Sequence, residues 1–308
     1  MEALLNAIDQ QMTGVLGANL LEKSGDFMVQ LAPFFSLGFS IYVMLLAFHY
    51  YKSGFDETIV DLAKKMLGWL LIIGLAFNGA NLSALLTLIY ELPETLIGWI
   101  GGSELNTGML SNGFKIIQDL IGSLDTLTTE AQWYQIQLQI TVFFAKVIVG
   151  ICGTILLSFT WFFYLIAKLS LALTLVIGGF FIACMLFPAT RAYGMNWIGQ
   201  VLSYSFTCLL YSLIMGLQLQ FVENQLESWN QPSYMDTIVA AWEVSLMLII
   251  LTILFMIITL SASNVASALF GGASVDGHGR TMGRLGSNVG RLLKKMPVMS
   301  SLNRIIGK

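Results

Sequence analysis

The side chains able to do chemistry are the polar ones set inside apolar runs, because an ionisable group in hydrocarbon is costly and marks a site by default. Lys146 stands six residues into a long apolar run, and Glu243 follows Trp242 near the outer end of another. Lys146 either snorkels to the headgroups, lines a passage, or pairs with a carboxylate. A Lys146–Glu243 pair is the specific expectation. Asn78 and Asn81, in the stretch FNGAN, either hydrogen-bond another helix or line a passage. Covalent catalysis is not expected. No GxxxxGK[ST], HExxH, CxxC or GxSxG occurs, and His49 and His278 lie far apart in unlike contexts. Cys152, Cys184 and Cys208 all lie in apolar runs without metal-site spacing, and read as small buried hydrophobes. The chain is therefore read as no enzyme, with no catalytic residue, cofactor or metal.

The elements that hold these residues follow from composition. Of 308 residues, 56% are hydrophobic and only 11% charged, with mean hydropathy +0.76. Soluble domains carry about 25% charged residues, so the bilayer is the natural solvent. Residues 1–30 repeat Leu4, Leu5, Ile8, Met12, Val15, Leu16 and Leu20 at helical steps, and read as an amphipathic segment on the membrane surface or a partner. Glu2, Asp9, Glu22 and Asp26 argue against a cleavable leader. Leu31–Tyr51 and Met66–Tyr90 read as the first two spans, joined by a loop at 52–65 with Lys52, Lys64 and Lys65.

Residues 91–139 read as a small helical loop domain, rich in carboxylates, with Phe114–Leu127 and Gln132–Ile140 helical. Ile140–Phe187 would be about 72 Å long as one helix at ~1.5 Å per residue, against a hydrocarbon core of ~30 Å. It must fold back or extend well outside. Two further spans, Trp197–Val222 and Ile238–Leu260, complete a bundle over 140–262. The segment 263–308 is a basic, Gly-rich tail carrying Arg280, Arg284, Arg291, Lys294, Lys295, Arg304 and Lys308. Beside a membrane it attracts anionic lipid, or else it binds nucleic acid or an ATPase.

The positive-inside rule places the tail and the 52–65 loop in the cytoplasm, and the acidic 91–139 and 223–236 segments outside. That needs about five net crossings from six apolar runs, an outward N-terminus and an inward C-terminus. On this reading 142–167 crosses, 169–187 re-enters with its turn at Gly178 and Gly179, and Lys168 and Arg191 end at the cytoplasmic face. The expected fold is an all-α polytopic membrane protein with a small periplasmic loop domain.

One stretch, LFPATRAYGMNW at 186–197, carries more order than membrane physics requires. Pro188 ends a helix, Arg191 sets a charged boundary, and Tyr193 and Trp197 suit the headgroup level. The stretch is similar to the signature after the central apolar run of TrbL-type, "VirB-six" class proteins. Phe187, Pro188, Thr190, Arg191 and Trp197 carry the resemblance, with ASALFGG at 266–272 as a second match. The layout over about 40–262 resembles the family as well. The resemblance implies a non-enzymatic inner-membrane subunit of a type IV secretion or conjugation system. It implies support for pilus biogenesis and for translocation of DNA with protein, or of protein alone. It implies as partners a ring of its own copies, pilin and a minor pilus-tip subunit, secretion ATPases, envelope-core subunits, and transiently the transported DNA or protein. Arg191 is expected to pair with carbonyls or a carboxylate at its junction. The alternative is a secondary transporter or small-solute channel, which should show paired broken helices and charges at mid-membrane.

Overall fold

In a computed structural model, the described residues are 7, 19–53, 59–102, 105–129, 136–229 and 238–270. They form eight helices and no strand. These are α1 (Asn19–Ser53), α2 (Ile59–Ala76), α3 (Gly79–Ile100), α4 (Thr107–Thr129), α5 (Ile136–Val176), α6 (Gly178–Cys184), α7 (Arg191–Trp229) and α8 (Ile238–Phe270). The fold is that of an all-α polytopic membrane protein. Among the described residues, four stretches are long and apolar enough to cross a bilayer: Lys23–Lys52, Gln139–Val176, Arg191–Asn224 and Trp242–Phe270. A fifth arises if the pair Ala63–Ala76 and Gly79–Ile100, bent by 85°, counts as one.

The central element is α5, 41 residues long, or about 61 Å at ~1.5 Å per residue. Its neighbours have directions that follow from their contacts. Thr252 Oγ1 donates to the Cys152 carbonyl at 3.4 Å, and Thr259 meets Thr160 at 3.3 Å, so α8 runs parallel to α5. Trp197 bonds at Thr174 and Gln218 at Thr160, so α7 runs antiparallel. Added methyls at Gly113 and Gly153 would meet Leu157 and Ile117 respectively, so α4 is antiparallel too. α3 precedes α4 along the same flank: Glu94 meets Lys168, and Leu82 and Leu86 share a cluster with Leu171 and Leu175.

Several expectations change at this level. Ile140–Phe187 does not fold back near Lys168. The helix continues unbroken to Val176, because 169–176 (LSLALTLV) contains no breaker and keeps every backbone group paired. The break comes at Ile177, and the short α6 that follows is all that remains of the expected re-entrant limb. Met66–Tyr90 is likewise not one straight span, since it breaks at Phe77–Asn78. The first span begins well before Leu31. α1 runs through Pro33 from Asn19, and Leu21, Ser24 and Met28 are buried against other helices rather than lying at an interface. Within 91–139, the first ten residues continue α3, and α4 packs Leu110, Ile116 and Ile117 into the core of α5 and α7. The segments before Asn19 and beyond Phe270 lie outside the described residues apart from Ala7, and so do all seven basic tail positions.

Candidate functional site

The junction after α5 is built around glycine. Trp197, on the second turn of α7, donates its indole N–H to the Thr174 carbonyl at 2.9 Å. That fixes the ring against the α5–α6 break, where a methyl on Gly178 would come within 2.4 Å of Trp197 Cζ2. Gly179 is closed over by Met28 of α1 and Leu82 of α3, at 2.2 Å and 2.7 Å from an added Cβ. The two glycines therefore admit three helices to one point. The turn that follows is pinned by Thr190, whose hydroxyl donates to the Cys184 carbonyl at 2.7 Å. Phe187 packs edge-on to Tyr42 at 6.0 Å and lies over Gly38, tying the turn to α1. Pro188 is exposed in the turn before α7. Arg191 is the first residue of α7 and is exposed. A cation at a helix N-terminus opposes the macrodipole, so nothing within α7 favours it there.

The other break lies beside this one. Asn78 caps α3, its Oδ1 accepting from the amides of Ala80 at 3.1 Å and Asn81 at 3.4 Å. Asn81 Nδ2 reaches back across the bend to the Gly74 carbonyl at 3.1 Å. Both amides thus satisfy backbone groups that the bend exposes. The breaks meet through rings: Phe35 lies 6.0 Å from Phe77 and 5.7 Å from Phe180. α1 and α3 cross where Gly25 faces Gly79, with an added Cβ at Gly25 only 2.9 Å from the Gly79 carbonyl oxygen.

A further charged feature of the bundle joins residues that lie far apart in the chain. Lys168 on α5 forms an ion pair with Glu94 on α3, their side chains 6% and 27% exposed. The ammonium also lies over the Tyr90 ring at 4.6 Å and faces Tyr164 at 6.0 Å. Each tyrosine sits one helical turn before the charged residue on its own helix, so two i, i+4 pairs converge on one ion pair. This corrects the topology. Glu94 was expected outside and Lys168 at the cytoplasmic face, and side chains in contact cannot lie on opposite faces. The missed signal was available: Lys168 is an ionisable residue deep in an apolar run, the same criterion that singled out Lys146.

Lys146 and Glu243 lie on α5 and α8 at one level, flanking a shared cluster of Val142, Ala145, Val149, Val244 and Leu248. Neither is without a partner. Deeper in the bundle, Gln218 Nε2 donates to Thr160 Oγ1 at 2.8 Å, and Thr160 meets Thr259, so α5, α7 and α8 are joined by a fully buried polar chain.

The chain as folded is a bundle with a glycine joint at the signature stretch, a Lys168–Glu94 ion pair and a buried Gln218–Thr160–Thr259 chain. Residues 39–259 match the family model of the TrbL/VirB6 plasmid conjugal transfer protein. The chain belongs to the TrbL/VirB6 family. The matched region takes in Gly178, Gly179 and Trp197 of the joint, the Lys168–Glu94 pair and the Gln218 chain, and it is close to the 40–262 over which the layout resembles the family. No curated protein matches the chain. TrbL/VirB6 proteins are structural components of conjugation, and this member is a multi-pass membrane component of a conjugal transfer or type IV secretion system.

Proposed function

We propose that this TrbL/VirB6 protein is a non-enzymatic scaffold and conduit subunit of the inner membrane. It supports pilus assembly and passage of DNA–protein or protein substrates. Its N-terminus is periplasmic and its C-terminus cytoplasmic. It works as a ring of copies in contact with pilin, the minor tip subunit, the secretion ATPases, the envelope core and anionic lipid. The observation that carries the scaffold reading is the packing where the two helix breaks meet. Discontinuous helices in transporters open a polar ion site. Here Met28 and Leu82 fill the space over Gly179, Phe35 bridges Phe77 and Phe180, and Asn78 serves its own helix. That makes a rigid joint able to hold a subunit's shape under load.

The transporter reading has one observation in its favour, that two broken helices lie side by side. A tagged copy purified from its own host in mild detergent separates the two. Co-purification of secretion ATPases, pilin and envelope-core subunits supports the scaffold. A lone homo-oligomer, even after cross-linking, moves the transporter reading ahead. Within the bundle we propose that Lys146 and Glu243 pair across α5 and α8. Exchanging the two charges should then preserve assembly that each single substitution lowers; a swap as damaging as the singles removes the pair.

A further inference from the structure

The outer surface of the bundle has two characters at one depth, and contacts with α5 set the depth of each neighbour. α8 keeps level with α5, since Thr252 meets Cys152 and Thr259 meets Thr160. α4 runs the other way, with Gly113 at Leu157 and Ile117 at Gly153. Tyr90 and Glu94 hold the middle of α3 at Lys168. Levels 150 to 168 of α5 therefore take in Ile250 to about Ala268 of α8, Asn112 to Asp119 of α4, and Glu91 and Thr95 of α3. That is about 27 Å at ~1.5 Å per residue, close to the ~30 Å of hydrocarbon. On α5 and α8 it falls inside the stretches Gln139–Val176 and Trp242–Phe270.

On the α5–α8 side, these levels expose Ile151, Ile155, Phe162, Ile250, Leu254 and Ile257, and no formal charge. Thr154, Ser261 and Asn264 are the exposed polar residues there, and Ser261 donates to the Ile258 carbonyl of its own helix at 2.8 Å. On the α3–α4 side, Glu91, Lys115, Gln118 and Asp119 are exposed. α3 carries a small and polar stripe at helical spacing, Asn81, Ala84, Thr87, Glu91, Thr95 and Gly98, with Leu88 and Trp99 along one edge. Beyond its end a cleft of about 700 Å³ runs between α3, α4 and α7, with exposed Asn106, Asn112, Gln220 and Glu223 on its walls. Lipid covers the first side at no cost. An ionisable side chain in hydrocarbon is costly, and turns to a protein interior or to water. Glu91, Lys115 and Asp119 are not covered by their own chain, so water reaches them at the depth of lipid.

We propose that the α3–α4 face is the wall of a water-filled space within the membrane, closed by the same face of neighbouring copies of this chain. A chain with one lipid side and one water side needs neighbours that shut its water side off from lipid. Copies of itself do this when each turns α3 and α4 inward and leaves the apolar belt of α5 and α8 outside. A neighbour with an apolar face would strand Glu91, Lys115 and Asp119 against hydrocarbon. What moves through the space rests on the conduit reading; the wall itself rests on the two-sided surface.

The test uses the full-length chain in cells of its own host. Cys152, Cys184 and Cys208 are replaced by alanine, and a single cysteine is introduced at Thr95, Gln118, Ile250 or Ile257. Should that background fail to insert, the native cysteines are kept and the labelling of the unsubstituted chain is subtracted. N-ethylmaleimide crosses membranes but alkylates the thiolate, which forms where water reaches, so Thr95→Cys and Gln118→Cys should label about tenfold faster than Ile250→Cys and Ile257→Cys. Wall sites that label no faster than the belt sites show a dry face and overturn the proposal. Belt sites that label as fast as the wall put these levels outside the hydrocarbon and overturn it as well. The chain expressed without the other secretion subunits should keep the contrast. Loss of wall labelling there, in protein that still inserts, gives the closing surface to another subunit and overturns the assignment to neighbouring copies. A labelled wall in a chain that purifies without secretion subunits removes the conduit reading and keeps the wall; an unlabelled wall in a chain that brings them down does the reverse.

Discussion

Lys168 and Glu94 are unequal partners, and the inequality is measurable. The lysine is the more deeply buried of the two, so removing the glutamate strands a charge that has little access to water. Glu94→Ala should destabilise the protein by about 3 kcal/mol, the range for breaking a buried pair, and Lys168→Met by less. Replacing both with methionine should recover much of the loss, because no charge is then left behind. Thermal unfolding in detergent across the three variants checks the order. A double variant worse than Glu94→Ala would mean that the pair itself, and not the stranded charge, sets stability. The glycines allow a similar comparison. Gly178→Ala meets a rigid indole held by its bond to Thr174, while Gly179→Ala meets mainly Met28, which can swing aside. The first should cost about 1–3 kcal/mol and the second less. Gly178→Ala combined with Trp197→Phe should regain part of the loss, since the smaller ring vacates the space. No regain in the melting temperature would argue that the backbone at 178, rather than the indole, needs glycine.

At the scale of elements, the 85° bend between α2 and α3 is held by two asparagine side chains and a ring contact. Asn78→Ala removes the cap of α3 and should cost about 0.5–2 kcal/mol. Asn81→Ala should add to it less than its own single effect, because both act on one bend. Measured melting temperatures for the singles and the double give the coupling directly, and strict additivity would show that the two amides act independently. Gly25 has a different task. Its neighbour is the Gly79 backbone, and no rotamer can relieve that contact. α3 is thereby held between α1 and α5, with the Glu94 pair fastening its second half.

For the whole molecule, the long α5 is the axis against which α1, α3, α4, α6, α7 and α8 pack, while α2 rests on α3 and α6. Its outward-facing residues include Phe143, Phe144, Ile151, Phe162 and Leu173, all well exposed in the single chain. Such a surface meets lipid or neighbouring copies. Arg191 leaves the fold at the joint, against the dipole of its own helix. We propose that its expected pairing lies between molecules. Arg191→Ala should lower the oligomer and the transfer frequency while leaving membrane insertion and monomer stability near normal. Normal assembly with normal transfer would set this aside.

Much of this was legible in the residues alone. Hydropathy, the scarcity of charge and the length of the apolar runs pointed to an all-α membrane protein, because a long unbroken apolar run satisfies its backbone within itself only as a helix. The order of Phe187, Pro188, Thr190, Arg191 and Trp197 pointed to the family. The glycine pair at 178–179 marked the break after α5 to within two residues. Tertiary structure alone decided which helices are continuous and which charges meet. LSLALTLV after Lys168 reads equally well as a new limb or as more of the same helix, and only neighbours on every side settle the choice. Glu94 and Lys168 are far apart in the chain, so no local pattern relates them. Their pairing exists because α3 turns through 85° and runs back along α5; FNGAN marks that turn locally, but which helix α3 then meets is decided by long-range packing that no single stretch of sequence contains.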